Sequence, residues 1–406
     1  MIRVARDRSQ TNRQFPVTGS MPPPSLAISS KLPDVGTTIF TVMSQLAAEH
    51  GAINLSQGFP DFPAPEGLLD RVRHHLGAGH NQYAPMAGLP ALREQIARKT
   101  QALYGRQVDA DAEVTVTSGA TSALFCAIEA VVQPGDEVLC LDPAYDSYDP
   151  AIRLAGGRAV HIPLREPAFS VDWDRVRSAI TPRTRLLIIN SPHNPTGAVL
   201  SPADMAALAE LVRGTRLLLL GDEVYEHILF DGQRHESLLR YPELAERSLV
   251  VSSFGKTYHA TGWKIGYCVA PAALTRELRR VHQFVQFCVV TPLQYALADF
   301  LESDPGHYLD LPAFYQAKRD QFCALLQGSR FRFTPAAGTY FQLLDYSAIT
   351  DEPDVDYARR LTVESGVACI PVSVFCAEPM LTPRLRFCFA KDLTTLERAA
   401  EILRRI

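Results

Sequence analysis

The sequence predicts an α/β fold, with a large, mostly parallel seven-stranded sheet domain and a smaller α+β domain. Two observations predict it. Between Val114 and Ala270, short apolar runs alternate with amphipathic, helix-like stretches. Such alternation implies strands joined by crossover helices, in a sheet buried on both faces. After about Leu309 the texture changes to one long helical pattern, several short strands and a last helix, as a smaller mixed domain would show.

From Leu68 to about Leu103 the pattern is helical, broken by Tyr83-Ala84-Pro85-Met86-Ala87-Gly88, where Pro and Gly signal a turn. The seven strand candidates are Val114–Thr117, Val138–Leu141, Ala159–Leu164, Leu186–Asn190, Leu217–Leu220, Leu249–Ser252 and Ile265–Ala270. Between them, Thr121–Val132, Pro202–Arg213 and Ala272–Gln283 read as helices. Further on, a helix is expected over Leu311–Leu326. Strands follow around Phe331–Thr334, Thr339–Leu344, Ala368–Pro371 and Leu385–Ala390, and a helix closes the chain from Thr394. No internal repeat is visible.

Residues 1–25 differ from the rest. Arg3, Arg6, Arg8 and Arg13 stand in a polar stretch that ends in three prolines. Asp7 and the lack of an apolar face argue against a transit peptide. The expectation is a disordered leader, with Met21 as an alternative start.

Composition narrows the function classes. Lys and Arg total 40 against 44 Asp and Glu, a formal net charge of −4, so the cationic footprint of a nucleic-acid binder is missing. No apolar run approaches the roughly 20 residues of a membrane span. The expectation is no nucleic-acid and no membrane partner. The eight cysteines include no Cys-x-x-Cys pair and read as reduced residues of a cytoplasmic protein. His-Glu-x-x-His is missing too, and no metal site is expected.

Four polar clusters sit at predicted strand ends, where α/β folds place ligands. Ser118-Gly119-Ala120-Thr121 opens a helix whose free N–H groups suit a phosphate, although any strand-to-helix turn resembles it. Ser191-Pro192-His193-Asn194-Pro195-Thr196-Gly197 aims one amide from a rigid loop, or is simply a rigid turn. Gly221-Asp222-Glu223-Val224-Tyr225 puts a carboxylate at the buried end of an apolar strand. There Asp222 demands a cation or a donor, unless it merely caps a helix. Ser253-Phe254-Gly255-Lys256 places a lysine between two apolar strands, and buried lysines serve as nucleophiles and bases. A P-loop is rejected because Val250 stands where its first glycine belongs. A serine acyl enzyme lacks its Lys-Thr-Gly element.

Taken together, the motifs resemble the class I/II aminotransferases, pyridoxal-phosphate enzymes of fold type I. They run in order as Asn54-Leu55-Ser56-Gln57-Gly58-Phe59-Pro60-Asp61-Phe62, Tyr83, Ser118-Gly119-Ala120-Thr121, Asp142-Pro143-Ala144-Tyr145-Asp146-Ser147-Tyr148, His193-Asn194-Pro195, Asp222-x-x-Tyr225, Ser253-x-x-Lys256 and Arg386. Ser252–Ala270 and Pro371–Ala377 resemble the bacterial methionine aminotransferases, near the kynurenine and glutamine transaminase K group.

The resemblance implies a large domain over residues 66–304 and a small one from 26–65 with 305–406. It implies pyridoxal 5′-phosphate held covalently by Lys256, which also moves the proton during transamination. Asp222 would pair with the pyridine nitrogen, and Tyr225 and Asn194 would bond the ring hydroxyl. Tyr145 would stack on the ring. Ala120, Thr121, Ser253 and Lys264 would hold the phosphate, and Tyr83 would reach the phosphate of a second subunit in a homodimer with shared sites. Arg386 would grip the substrate carboxylate, with Gly58 and Asn194 beside it. The residues alone do not choose between Arg384 and Arg386. Ile39, Phe40 and Phe287 are expected as apolar walls. Cys288 stands where some kynurenine-type relatives carry histidine, which speaks against kynurenine as the main substrate.

The implied activity is ping-pong transfer of the amino group of methionine, and of aromatic amino acids or glutamine, to a 2-oxo acid. The alternative on the same fold is a carbon–sulfur β-lyase acting on cysteine conjugates. A pyridoxal-phosphate-binding regulator is disfavoured, because residues 1–30 are too short and Pro-rich for a helix-turn-helix.

Overall fold

Seven of the apolar runs align side by side. The structure is a computed structural model that describes residues 28–379 and 383–406; the expected leader lies outside the described residues. Residues 35–406 cluster as one compact unit.

Among the described residues, twelve strands are formed. They are β1 (Ile53–Asn54), β2 (Val114–Thr117), β3 (Glu137–Asp142), β4 (Arg158–Pro163), β5 (Thr184–Asn190), β6 (Leu218–Asp222), β7 (Ser248–Ser253), β8 (Gly266–Val269), β9 (Phe341–Asp345), β10 (Val367–Ala368), β11 (Ile370–Pro371) and β12 (Arg384–Cys388). The main sheet has the order β2-β8-β7-β6-β5-β3-β4. Its pairs are parallel from β7 through β4 and antiparallel on both sides of β8.

The sheet is buried on both faces because successive side chains point to opposite sides. Leu186 and Ile188 of β5 join one apolar cluster with the helix Gly119–Val131, while Leu187 and Ile189 join another. This explains why β5 reads as an unbroken apolar run and not as an alternating one.

Strand direction then gathers the motifs. Only β8 runs against its neighbours, so β2, β5, β6 and β7 end on one edge, where β8 begins. Thr117 and Ser253 both pair with Gly266, and Asn190 pairs with Asp222. Gly266 is required there by close packing, since a Cβ would lie 2.6 Å from the Ser252 carbonyl oxygen and 2.9 Å from the Ala120 nitrogen.

A second sheet, β11-β12-β9, is antiparallel and pairs Arg386 with Leu343 and Ile370. The short β1 pairs in parallel with β10. Two strand expectations change. Phe331–Thr334 forms no strand; Arg332 makes only an isolated bridge to Asp345. The expected run Ala368–Pro371 is divided between β10 and β11 at Cys369. The structure adds the helices Ile39–His50 and Thr291–Ser303, the latter packed on Glu66–Gly77. Among the described residues no helix is long and apolar enough to cross a membrane, and all eight cysteines are free.

Candidate active site

One cavity lies over the edge where these strands end. Of the residues singled out from sequence, Gly58, Ala120, Thr121, Tyr145, Asn194, Asp222, Tyr225, Ser253, Lys256, Lys264 and Arg386 line it. Tyr83 does not; its side chain is 83% exposed and meets Phe287 edge-on at 5.4 Å between ring centres. Of the three expected apolar walls, Phe40 lines the cavity, whereas Ile39 and Phe287 do not.

Asp222 ends β6 and is followed by a turn, so it caps no helix. It is buried, and Tyr148 donates to its Oδ2 at 2.5 Å. Its Oδ1 is buried with no hydrogen-bond partner among the described residues. Burial raises its pKa to about 6. A carboxylate so placed has an open demand for a proton donor or a cation.

Lys256 lies in the short helix Phe254–Thr257, just after β7. Its Nζ donates to Tyr340 Oη at 2.9 Å and to the Gly58 carbonyl at 3.1 Å. Burial lowers its pKa to about 8, which leaves about a tenth of it neutral at pH 7. Tyr225 is buried and packs edge-on against Tyr340.

At the other end, Ala120 and Thr121 lie in the first turn of the 13-residue helix Gly119–Val131, whose free N–H groups and dipole attract anions. Ser253 and Lys264 line the same region. A Cβ added at Gly119 would come within 3.2 Å of Lys264 Cε, so glycine lets that lysine close over the helix start.

Arg386 is 1% exposed on β12. Its Nη1 donates to Asn194 Oδ1 and its Nη2 to the Ser56 carbonyl, each at 2.8 Å. Its Nε has no hydrogen-bond partner among the described residues. The guanidinium lies 3.8 Å from the centre of the Phe341 ring and 5.1 Å from that of Phe40. Arg384, two residues back on β12, pairs with Glu166 at 3.2 Å and does not line the cavity, whereas Arg386 does. Gly58 is fixed by packing, since a Cβ there would sit 2.7 Å from Phe341 Cζ.

Tyr148, Tyr340 and Phe341 had no assigned role. Tyr148 belongs to the same motif as Tyr145, and Tyr340 and Phe341 follow Gly338-Thr339 at the entry to β9. A glycine turn beside a strand was the available cue.

With this geometry in view, the comparisons decide the family. Residues 50–403 match the family Aminotransferase class I and II. The chain belongs to the class I and II aminotransferases. The methionine aminotransferase of Escherichia coli is 55% identical over 377 residues, covering 93% of this chain and 98% of that protein. A probable N-succinyldiaminopimelate aminotransferase of Mycobacterium tuberculosis is 39% identical, covering 91% and 96%. The crystal structure of YbdL from Escherichia coli, identified there with a methionine aminotransferase function, superposes with a TM-score of 0.92 at 55% identity, covering 94% of this chain and 100% of that one. Aminotransferases act on amino acids and 2-oxo acids, and enzymes of this family are generally pyridoxal-phosphate dependent.

Proposed function

We propose that this aminotransferase holds pyridoxal 5′-phosphate in the cavity described and moves the amino group of methionine to a 2-oxo acid by a ping-pong mechanism. Aromatic amino acids and glutamine are further candidate donors. One observation carries the cofactor reading. Asp222 leaves a buried carboxylate oxygen unpartnered, in a cavity that also holds a lysine of lowered pKa and an anion cradle. Those residues fit the cofactor's pyridine nitrogen, aldehyde and phosphate. Tyr145 and Tyr225 supply aromatic surface and a phenol beside them.

When bound, pyridoxal phosphate supplies a carbonyl for amino groups and a protonated ring that accepts the electron pair left when a Cα–H bond breaks. Asp222 keeps the ring nitrogen protonated. Lys256, as the free amine, takes the proton from the substrate Cα and later returns it. Tyr225 and Asn194 hold the ring hydroxyl, and Thr121, Ser253, Lys264 and the Ala120 backbone hold the phosphate. Arg386 orients the substrate through its carboxylate, with Gly58 and Asn194 beside it.

The methionine assignment rests on the relative that is 55% identical over 93% of this chain. The cavity supports it. Phe40 and Phe341 give aromatic walls, which suit a flexible thioether, and Arg386 is the one arginine among the described lining residues. We read the enzyme as a homodimer in which Tyr83 reaches the neighbouring subunit's phosphate. Its exposed ring, together with exposed Phe284 and Val290, supports that reading. The parallel pairing of β1 with β10 supports a small domain of residues 26–65 and 305–406 beside a large one of 66–304. The free thiols suit a reducing cytoplasm.

Borohydride reduction of the cofactor-loaded protein, followed by peptide mapping, tests the assignment. The pyridoxyl group is expected on Lys256 and is expected to vanish in Lys256→Ala. Attachment at another lysine would overturn the site.

A further inference from the structure

Tyr340 has no part in the reading above, yet it touches the reacting amine. It is fully buried and immediately precedes β9. Its hydroxyl donates to the Gly58 carbonyl at 2.6 Å. Lys256 Nζ lies 2.9 Å from the same hydroxyl oxygen and 3.1 Å from the same carbonyl. The three groups form a closed triangle.

The direction of each bond follows from valence. A phenol has one hydrogen and two acceptor pairs. Burial raises the Tyr340 pKa well above the usual phenol range, so that hydrogen stays, and it is committed to Gly58. The lysine is therefore the donor to Tyr340. A neutral amine has two N–H bonds and one lone pair. Both N–H bonds are engaged in the triangle, which leaves the lone pair as its one free valence.

We propose that Tyr340, together with the Gly58 carbonyl, is a docking station for the free amine of Lys256, positioning it so that its lone pair remains available to take the substrate Cα proton. This rests on the reading of Lys256 as the acid–base group. In that step the Cα–H bond breaks, an N–H bond forms on Lys256, and the electron pair is left to the electron-accepting ring that bound pyridoxal phosphate would supply. Tyr340 is a positioning residue, and its own proton does not move. The ring is held independently of its hydroxyl, edge-on to Tyr225 at 5.1 Å and to Phe341 at 4.9 Å. Tyr340→Phe therefore keeps the packing and removes the hydroxyl, which the Tyr225 side chain also meets. The Gly58 carbonyl keeps Lys256 as a donor, and one Lys256 N–H loses its acceptor.

The test uses full-length protein and two readouts. In cofactor-free protein, the pH dependence of Lys256 acetylation by acetic anhydride, read by peptide mass, gives the amine's titration midpoint. It is expected near 8 in the wild type. A hydrogen-bond acceptor favours the ammonium form, so Tyr340→Phe is expected to lower the midpoint by about one pH unit, and tenfold in the ammonium's equilibrium is one such unit. In the loaded enzyme, exchange of the methionine Cα hydrogen with deuterated solvent is expected to slow about tenfold or more, with KM little changed. Tyr315→Phe is the control. Tyr315 is equally buried and near Tyr340, but its hydroxyl bonds His259, so both readouts are expected to stay at wild-type values.

An unmoved midpoint in Tyr340→Phe overturns the proposal, as does unchanged exchange or an equal change in Tyr315→Phe. A wild-type enzyme that takes up no pyridoxyl group at Lys256 would instead sink the underlying site reading, while a shifted acetylation midpoint would still report the triangle.

Discussion

The phenolic hydroxyl of Tyr148 lies 2.5 Å from Asp222 Oδ2, across 74 residues of chain. It fills one oxygen of a buried carboxylate, and the other, Oδ1, has no hydrogen-bond partner among the described residues. In the proposed cofactor complex, Tyr148 would thereby fix which edge of Asp222 faces the ring nitrogen. A hydrogen bond to a charged group contributes about 1.5–3 kcal/mol. Tyr148→Phe is expected to weaken cofactor binding roughly tenfold or more by the same measure, read by titrating cofactor-free protein. Unchanged affinity would remove Tyr148 from the site.

Asp222 carries a stability penalty when no cofactor is bound. Its pKa in the folded chain is about 6, against about 3.9 for a free aspartate. Folding thus favours the neutral acid. The resulting stability is fully present below about pH 4, is lost as pH rises toward 6, and stays lost at pH 8. Asp222→Asn is expected to raise the Tm of cofactor-free protein at pH 8, to change it little at pH 4, and to abolish most transamination. A lower Tm at pH 8 would contradict the burial argument.

Arg386 presents a fork between two aromatic rings. Lysine cannot reproduce a bidentate grip or stack in that slot. Arg386→Lys is expected to raise KM for both methionine and the 2-oxo acid by roughly tenfold to a hundredfold, from the loss of a charge-assisted pair. Steady-state kinetics with each substrate varied will show this. An effect on only one of them would mean that Arg386 does not serve the group they share.

Behind the cavity, Glu226 is 5% exposed and accepts from Lys99 Nζ at 2.7 Å, and also from Tyr104, Ser252 and Tyr267. Breaking a buried ion pair from one side costs about 3–5 kcal/mol, because the other charge is stranded. Glu226→Gln is expected to lower the Tm markedly in a melting experiment, and Lys99→Met added to it is expected to recover part of the loss. No recovery would mean that the packing matters more than the charge.

The sequence disclosed the main sheet well for a physical reason. Strands buried on both faces are continuous apolar runs, and the run Leu186–Asn190 differs from β5 only by Thr184 and Arg185. The motifs were legible because α/β chemistry gathers at strand ends. Phe331–Thr334 misled because Phe331 is buried and Phe333 packs on the core without strand pairing. Tyr340 and Gly58 are 282 residues apart, and no local pattern encodes their contact. The pairing of Arg384 with Glu166, far along the chain, was likewise out of local reach.

The most direct measurement mixes cofactor-loaded enzyme with L-methionine alone and no 2-oxo acid. The account predicts loss of the cofactor's visible band, release of about one equivalent of methionine's oxo acid per site, and return of the band when a 2-oxo acid is added. A band that persists in methionine with no oxo acid released would contradict methionine transamination. Thiol release from cysteine conjugates in its place would point to the lyase reading.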